Sequence, residues 1–513
     1  MTQVAEQLTT TNCCPVPLAD VPVLPVDDFA EQLSDELRGN ASGLSALFGV
    51  PGSGQSVRLY AVTNHRVAGR VSVFATDVND SYPSFTPRTP QAHWFEREIA
   101  EQWGIVPEGH PWLKPIRFHR SYVDGRDAWG RTSDDEILPC VQPAGTDYFR
   151  VLGDEIHEVA VGPVHAGVIE PGHFRFQCHG ENVFSLEIEL GFQHRGIERQ
   201  LIGGPDKRSL HFMETLSGDT SVGHGTAYCQ LLEGLASVEP PLKSHAIRAI
   251  GLELERLANH TGDLGALALD VGFLPTASFC GRLRGDWLNA SALICGNRFG
   301  RSLVLPGGVR FDIDTAMRDE LQNRTETAFR DLTGAANLLW STTSVMARFE
   351  DCGRVPREVA DDLGLVGMAG RACGIDRDAR RDFPSGMYRF HQVPVSTWHT
   401  GDVFARAYVR WLEVQRSVRF IQDQLRALPD TATKTDVGSL QPDSLTVSLN
   451  EGWRGEICHV AITDSDGRFA HYKIVDPSFH NWIGLAMALR NQEISDFPVN
   501  NKSFNLSYCG HDL

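Results

Sequence analysis

The feature that most constrains the fold is a series of long segments with helical periodicity in the second half of the chain. In these segments apolar residues recur every three or four positions, and Pro or Gly bounds several of them. Long helices with one apolar face must bury that face against one another. The pattern therefore predicts a bundle, with helices over about 206–237, 241–269, 281–299, 314–345 and 402–428.

Shorter segments with β periodicity lie on both sides of these helices. The early ones are strands at 57–62 and 70–74, followed by a helix at 91–104 that ends at Gly104. Later strands are predicted at 156–161, 175–178, 183–190, 457–463 and 469–475. The predicted fold class is α+β, with a small N-terminal α+β domain followed by a large, mostly helical bundle that has β edges.

The same patterns divide the chain into four parts. A leader at 1–26 is predicted to be disordered, and the adjacent Cys13 and Cys14 within it are expected to be solvent-exposed thiols. The small α+β domain covers 27–119, and the large domain covers 155–513. Between them, 120–154 is rich in Gly, Pro and Asp, which is typical of a linker.

Charge and cysteine usage exclude several classes of protein. The chain has 47 basic and 65 acidic residues, a net charge of −18, which argues against a nucleic-acid partner. Its 11 cysteines are spread thinly, without a C-x-x-C pair, so neither a disulfide framework nor a typical thiolate metal site is predicted. The N-terminus lacks a secretory signal, and no apolar run is long enough to span a membrane. We expect a cytoplasmic protein.

Four local patterns contain groups that could take part in chemistry. The glycine-rich 49–55 lacks the Lys-Ser/Thr of a phosphate-binding loop and is expected to be an ordinary loop. His165 is either an acid–base group or a structural histidine. A strand-to-helix junction could favour an anion or form a salt-bridged surface; its ionisable residues are Glu187, Glu189, His194, Arg195 and Glu198. His211, Asp219 and His224 form a candidate polar cluster in which nothing requires a metal.

Several longer motifs resemble known oxidoreductase subunits. The segment at 82–119 resembles the C-type (30 kDa) subunit of complex I and its fused form in formate hydrogenlyase large subunits. Later motifs resemble the D-type (49 kDa) subunit and the group 4 [NiFe]-hydrogenase large subunit. They read GPVHAGVIEPGHFRF, GFQHRGIERQL, LERLANHTGDLGALALDVGF, LPGGVRFDI, GRACGI and DPSFHNW, with DFPVNNKSF near the end. In combination, this order of motifs resembles the large subunit of a formate hydrogenlyase-type complex.

The resemblance assigns four positions to the nickel ligands, which are cysteines in active hydrogenases. In this sequence those positions are occupied by Ser217, Thr220, Ser507 and Gly510. Nickel in such enzymes requires soft thiolate ligands, and neither a hydroxyl at neutral pH nor a glycine provides one. Cys509 and Cys229 lie outside the aligned positions. The resemblance therefore implies a hydrogenase-like subunit without a nickel–iron centre and without another metal of its own.

The positions that contact a quinone in complex I also differ. The resemblance places Ile169 and Gly218 where that family has its His and Tyr quinone ligands. Asp270 corresponds to the Asp that partners the His, and Arg195 to the Arg beside the neighbouring subunit's terminal cluster. Standard quinone reduction through a His/Tyr pair is therefore not expected, and quinone is a candidate ligand only at a remodelled cavity. The residues expected to tune potential or carry protons are His165, Arg195, Asp219, His224 and Asp270.

The resemblance implies a place in a larger assembly. We expect an oxidoreductase subunit that is not an active nickel hydrogenase by itself, and that walls a cavity beside a [4Fe–4S] cluster held by a partner. Implied partners are a B-type-like iron–sulfur small subunit, a ferredoxin-like subunit, and H-type-like and antiporter-like membrane subunits. The chain would lie peripherally on the cytoplasmic face of the cell membrane. The alternative is a catalytically dead subunit that has a structural or coupling role in such a complex.

Overall fold

The computed structural model of the protein describes residues 8–39, 41–130, 147–165 and 169–513. The first part of the chain is a mixed α/β unit. Its elements are β1 (Thr9–Thr10), β2 (Val16–Pro17), β3 (Val23–Leu24), α1 (Val26–Glu36), β4 (Ser42–Pro51), β5 (Val57–His65), β6 (Arg70–Val78), β7 (Ser81–Pro83), α2 (His93–Trp103) and β8 (Val106–Glu108). The predicted strands at 57–62 and 70–74 lie in β5 and β6, which pair antiparallel. Helix α2 ends at Gly104, whose φ of +65° allows the left-handed turn there.

The second part contains three small sheets and the long helices. Its strands are β9 (Ile156–Val161), β10 (His173–His179), β11 (Asn182–Glu189), β12 (Val304–Leu305), β13 (Gly308–Val309), β14 (Ser444–Glu451), β15 (Glu456–Thr463) and β16 (Phe469–Val475). Its helices are α3 (Ile197–Leu201), α4 (Ser209–Thr215), α5 (Ser221–Leu235), α6 (Leu242–Asp270), α7 (Leu274–Cys295), α8 (Thr315–Ser341), α9 (Thr343–Phe349), α10 (Arg357–Asp362), α11 (Gly367–Ala372), α12 (Ala379–Asp382), α13 (Val403–Arg426), α14 (Pro477–Ala488), α15 (Phe497–Phe504) and α16 (Tyr508–Asp512). The expected α+β class, with a helical bundle and β edges, is confirmed.

Helix α6 lies at the centre of the bundle. Most of its length is buried, and it packs against α7 and α13. Several of the charged side chains that it buries form ion pairs, Arg256 with Glu253 and Glu413, and Arg248 with Glu233. The buried Glu255 instead accepts hydrogen bonds from the backbone N–H groups of Val222 and Gly223. Buried charges persist only when they are compensated in this way, so the helix is fixed in rotation as well as in position.

The prediction of a disordered leader at 1–26 is wrong for the described residues 8–26. Strands β1 and β3 pair with β6 of the first sheet, and β2 pairs with β14 of the second domain. Cys13 is half-buried, and its backbone N–H donates to Val447 at 2.8 Å, whereas Cys14 is exposed as expected. The segment is ordered because its backbone completes two sheets, which its composition does not reveal.

The predicted linker falls partly outside the described residues, which omit 131–146. At its N-terminal side the chain packs back on the first domain. The backbone N–H of Tyr122 donates to Gln102 at 2.7 Å, and the Tyr122 ring contacts Trp103 edge-on.

The predicted helix at 206–237 is also wrong, because the chain leaves helical geometry between α4 and α5. The carbonyl of Asp219 accepts hydrogen bonds from Asn259 Nδ2 at 2.9 Å and from Trp453 Nε1 at 3.1 Å. This carbonyl is therefore held by two side chains, and the 216–220 loop lies against α6.

Candidate functional site

The candidate site forms where the loop at 216–220 meets the C-terminal segment. Ser507 precedes α16 and caps it, with its Oγ accepting from the Gly510 N–H at 2.9 Å. The same Oγ lies 2.9 Å from Ser217 Oγ. Ser217 and Thr220 both donate to Asp219 Oδ1, at 3.0 and 3.2 Å. Positions far apart in sequence are thus joined in one group of hydroxyls around a carboxylate.

The side chain of Arg454, from the loop between β14 and β15, lies within this group. Its guanidinium forms a two-point ion pair with Asp219, at 2.6 and 2.8 Å. It also lies 3.4 Å from Ser217 Oγ and from Thr220 Oγ1, and its plane stacks 3.9 Å from the Trp453 ring centre. A fixed positive charge therefore contacts two of the four positions that the resemblance assigns to nickel ligands.

The electrostatics of the site favour a charged Asp219 and a neutral Cys509. Burial raises the pKa of Asp219, but the Arg454 charge and the surrounding hydrogen bonds outweigh it and hold the pKa below its ordinary value. Burial raises the pKa of the Cys509 thiol to about 12. A thiol with this pKa is protonated at neutral pH and is a poor metal ligand.

Gly510 occupies a position where a side chain does not fit. A Cβ at this residue would lie 2.7 Å from Asp476 Cγ and 2.9 Å from Ser507 Oγ. Together the hydroxyls, the guanidinium and this steric restriction do not match the set of soft thiolates that nickel requires. Among the described residues, no group of three or more His, Cys, Asp and Glu side chains is arranged to hold a metal ion.

A chain of buried hydrogen bonds starts beside Gly510. Asp476 Oδ2 lies 3.0 Å from His224 Nε2, His224 Nδ1 lies 3.1 Å from His459 Nε2, and His459 Nδ1 lies 2.9 Å from Tyr472 Oη. Burial, together with the nearby His224, lowers the pKa of His459 well below its ordinary value. Despite burial, the hydrogen bond from His224 holds the pKa of Asp476 below its ordinary value.

The structure separates the predicted polar cluster of His211, Asp219 and His224. Asp219 belongs to the hydroxyl group, and His224 belongs to the buried chain that begins at Asp476. His211 is exposed on α4, where it lies 3.7 Å from Glu214. The three residues are close in sequence, but the helix break at 216–220 points them to different neighbours.

The junction at 187–198 is likewise divided. Lys114 contacts Glu187, the Tyr148 hydroxyl contacts Glu189, and Glu198 lies 3.0 Å from the buried Lys473. His194 Nδ1 donates to the backbone carbonyl of Asp512 at 2.7 Å. These contacts join the junction to the first domain and to the C-terminus, which matches the salt-bridged alternative for those carboxylates.

Arg195 is the member of that junction that reaches the candidate site. It is exposed, and its guanidinium donates to the carbonyls of Thr215 and Leu216, both at 2.8 Å, and of Cys509 at 3.1 Å. Gly218, beside it, is exposed, and a Cβ there would meet nothing within 4 Å. The site therefore opens to the surface on the side of Arg195 and Gly218.

His165, Ile169 and Asp270 lie around this region without entering the hydroxyl group. His165 Nε2 lies 3.0 Å from the Gly172 carbonyl, and His165 forms an antiparallel bridge with Ile169, which is exposed. Asp270 ends α6. Although the Asp270 side chain reaches the surface, partial desolvation raises its pKa to about 6, against the charge of Lys502.

Sequence reasoning missed Arg454, Asp476 and His459. Arg454 follows Trp453 in a stretch that shows no site pattern of its own, and His459 alternates with apolar residues in β15 like any strand residue. Only the tertiary pairing of α5 with β14 and β15 places them together. Asp476 is a helix N-cap of α14, which its Asp-Pro sequence signals, but that signal predicts a cap and not a site.

A cavity of about 530 Å³ lies next to Asp219, between α6, α7 and the C-terminal α15. Small residues form much of its wall, and charged side chains stand around it. The lining residues used below are Asp219, Gly262, Asp263, Ser278, Arg284 and Lys502.

Comparison with known proteins shows which subunits the chain is similar to. Residues 22–126 match the family of respiratory-chain NADH dehydrogenase 30 kDa subunits, and residues 270–444 match the 49 kDa subunit family. The chain is 29% identical to formate hydrogenlyase subunit 5 of Escherichia coli, over 82% of this chain and 74% of that protein. It is also 29% identical to hydrogenase-4 component G of the same organism, over 82% and 73%. The chain therefore joins a part similar to the 30 kDa subunits of complex I to a part similar to the 49 kDa subunits, in the order of a C/D-type fusion, and is similar to hydrogenase subunits over most of its length.

A relative named as a C/D subunit is similar over most of its length. The C/D subunit of NADH-quinone oxidoreductase from Bdellovibrio bacteriovorus is 27% identical, over 76% of this chain and 71% of that protein. In the described part of this C/D-type chain, no helix is both long and apolar enough to cross a membrane.

Proposed function

We propose that this C/D-type chain is a subunit of a membrane-associated electron-transfer complex, in which it walls a cavity beside a partner's [4Fe–4S] cluster and holds no nickel–iron centre. The observation that carries the proposal is the Arg454–Asp219 ion pair. This pair lies among Ser217, Thr220 and Ser507, where the resemblance locates the metal. A guanidinium at this point brings a positive charge that would repel a metal cation.

The exposed face beside the pair supports a position next to a redox partner. Arg195 and Gly218 lie at this face, and no carboxylate forms an ion pair with Arg195 among the described residues. An uncompensated positive charge would raise the reduction potential of a neighbouring cluster, because reduction adds negative charge there. Arg195 is therefore suited to tune a cluster that a partner holds.

The proposed partners follow from the relatives, which are named as parts of hydrogenase and NADH-quinone oxidoreductase assemblies. We infer a B-type-like iron–sulfur small subunit at the Arg195 face, a ferredoxin-like subunit, and H-type-like and antiporter-like membrane subunits. The chain would then lie on the cytoplasmic face of the membrane. A quinone or another small electron acceptor would reach the chain from the exposed side of Arg195 and Gly218, where the resemblance assigns a quinone-contacting position to Gly218.

Affinity purification from mildly solubilised membranes tests the assembly, with partners identified by mass spectrometry and nickel measured in the same preparation. The proposal expects an iron–sulfur subunit and membrane subunits, with nickel far below one atom per chain. Recovery of this chain alone, or of stoichiometric nickel, would overturn it. A nickel-containing hydrogenase, prepared in parallel, checks that bound nickel is retained through the procedure.

A second candidate is a catalytically dead structural or coupling subunit, favoured by the closed Asp219–Arg454 pair, which leaves no carboxylate oxygen of Asp219 without a cationic neighbour. Quinone reduction by the solubilised complex separates the two candidates. An active cavity should respond to Asp270→Asn, while a structural subunit should give the same rate with and without the substitution.

A further inference from the structure

The cavity between α6, α7 and α15 has an unusual balance of charge. Both of its carboxylates are already neutralised. Asp219 pairs with Arg454, and Asp263 Oδ2 accepts from Arg410 Nε at 2.8 Å while its Oδ1 accepts from Asn505 Nδ2 at 2.6 Å. The acidic groups of the wall therefore have partners of their own.

The two cationic groups of the wall, unlike its carboxylates, have no partner in an ion pair among the described residues. Arg284 and Lys502 line the cavity, and neither forms a hydrogen bond or an ion pair with any residue of the described chain. Lys502 acts on Asp270 through space, lowering the pKa of that carboxyl, but forms no ion pair with it. The wall carboxylates already pair with Arg454 and Arg410, and Lys502 has only this through-space attraction to Asp270. The half-buried guanidinium and ammonium therefore give the cavity an excess of positive charge.

The packing of α6 positions one of these cations. Gly262 has no side chain, and a Cβ there would lie 2.8 Å from Arg284 Cδ and 3.1 Å from Arg284 Nε. The stem of Arg284 therefore crosses the surface of α6 at Gly262. Ser278, one turn and a half earlier on α7, adds an exposed hydroxyl to the same wall.

We propose that this cavity binds a small oxyanion with two negative charges, a dicarboxylate or a phosphate, between Arg284 and Lys502. Two cationic donors match the charge of a dianion, and the hydrogen bonds to it would be charge-assisted at both ends. Arg284 offers the planar donor pair that suits a carboxylate or phosphate, and Lys502 adds a single point charge. This assignment goes beyond the electron-transfer role and does not depend on which complex the chain joins.

Calorimetric titration of the purified full-length chain tests the proposal, with malonate and inorganic phosphate as probes at constant ionic strength. At least one dianion should bind saturably, and acetate more weakly. Arg284→Gln and Lys502→Gln should each weaken binding on the order of tenfold, which is the loss expected for one charge-assisted hydrogen bond. The stronger of the two probes assigns the ligand to dicarboxylates or to phosphates.

Two controls separate a built site from general positive charge. Arg282→Gln changes an exposed arginine of α7 that is paired with Asp286 and Asp331 and does not line the cavity, so binding should not change. Gly262→Ala keeps both cations but displaces Arg284, and should weaken binding. Gly285→Ala, where a Cβ meets nothing within 4 Å, should leave it unchanged.

Absence of saturable binding for both dianions overturns the proposal, as does equal weakening by Arg282→Gln or by Gly285→Ala. Thermal unfolding of each variant without ligand shows whether a loss of binding reflects a loss of fold, and Gly262→Ala still reports on the site if one charge variant unfolds. The outcome is independent of the membrane purification, so failure of the anion site and failure of the proposed complex are distinguishable.

Discussion

The hydroxyl oxygens of Ser217 and Ser507, which are 290 positions apart in the sequence, lie 2.9 Å from each other in a hydrogen bond. Ser507 also caps the last helix, and Ser217 also donates to Asp219. The C-terminal segment is thus attached to the loop that carries the ion pair with Arg454. Hydroxyls therefore join the two segments to which the resemblance assigns the nickel-ligand positions.

Restoring a cysteine at Gly510 should destabilise the protein. A Cβ at this position would lie 2.7 Å from Asp476 Cγ, so Gly510→Cys and Gly510→Ala must displace a buried carboxylate that is bound to His224. We expect a loss of about 1–3 kcal/mol in the free energy of unfolding, measured by urea denaturation. Gly218→Ala is the matched control, since nothing lies within 4 Å of its added Cβ. Equal stability of Gly510→Ala and wild type would contradict the packing described for Asp476.

Removing the guanidinium at the site should alter the titration of Asp219. In wild type the lowered pKa of Asp219 gives a stabilisation that is present above its ordinary pKa and is lost as pH falls through the lowered value. Arg454→Gln should raise the pKa of Asp219 and flatten this acid dependence. Because 30% of the Asp219 side chain is exposed, we expect a cost of only about 1–2 kcal/mol near neutral pH. Arg454→Lys keeps the charge but not the two-point geometry, so its stability should lie between those of wild type and Arg454→Gln. Urea denaturation at a series of pH values, from acidic to neutral, measures the free energy of unfolding of each protein. The same pH dependence in Arg454→Gln and wild type would contradict this prediction.

An ion cluster between the two domains gives a second acid-sensitive contact. Glu98 of α2 is buried and contacts Arg117 of its own domain. It also pairs with Lys473 of β16, whose Nζ lies 2.6 Å from Glu98 Oε1. Although burial raises the pKa of Glu98, the charges of Lys473 and Arg117 lower it overall. Glu98→Gln should cost about 3–5 kcal/mol near neutral pH because it leaves two buried cations undercompensated.

The sign of the pH effect follows from that lowered pKa. The stabilisation by Glu98 is present above the ordinary pKa of a glutamate and is lost as pH falls through the lowered value, so the Gln variant should lose less stability in acid than wild type. Thermal unfolding across this range measures it. Asp286→Asn, in an exposed pair with Arg282, should change stability by less than about 1 kcal/mol at any pH. A Glu98→Gln variant with the wild-type acid profile would show that Glu98 does not carry this dependence.

Besides its strand pairings, the N-terminal segment is anchored by the side chain of Asn12. Asn12 Nδ2 donates to the carbonyls of Phe383 and Leu449, at 2.8 and 2.9 Å, and its Oδ1 accepts from the Leu449 N–H at 2.8 Å. Loss of these three bonds in Asn12→Ala should cost about 2–3 kcal/mol, at roughly 1 kcal/mol for each bond. Limited proteolysis should then cut the segment faster than in wild type. Thr11→Ala, at an exposed neighbour, should leave both properties unchanged.

Arg195 offers a test of the proposed neighbour cluster. In the purified complex, Arg195→Met should lower the midpoint potential of the nearest [4Fe–4S] cluster, because a positive charge that favours the reduced form is removed. Redox titration followed by electron paramagnetic resonance measures the midpoint. Arg199→Met removes a positive charge from the exposed side of α3 and is the control for the measured midpoint potential. An unchanged midpoint in Arg195→Met would remove Arg195 from the proposed role.

The sequence predicts the local elements well where one periodicity dominates. The hairpin of β15 and β16 and the long helices α6 and α13 are confirmed, since one periodicity dominates in each. The break between α4 and α5 was missed because it depends on Asn259 and Trp453, which bind the Asp219 carbonyl from elsewhere in the fold.

The candidate site was predicted in part. The four positions taken from the resemblance lie in two segments that meet through Ser217 and Ser507, and Asp219 belongs with them. Arg454 could not be found in this way, since a lone arginine after Trp453 carries no local signal. Its role follows only from the pairing of β14 with β15, which turns the connecting loop toward Asp219.

The short strands before α1 have a further consequence for the two sheets. β6 and β14 each have one neighbour within their own domain, and their other sides are covered by the residues between Thr9 and Leu24. An uncovered strand exposes a row of unpaired N–H and C=O groups, which invites another polypeptide to add itself. One short segment thereby shields two edges at once. If this segment detached, the edges of β6 and β14 would both be exposed to other chains. We therefore expect aggregation before separation of the two domains.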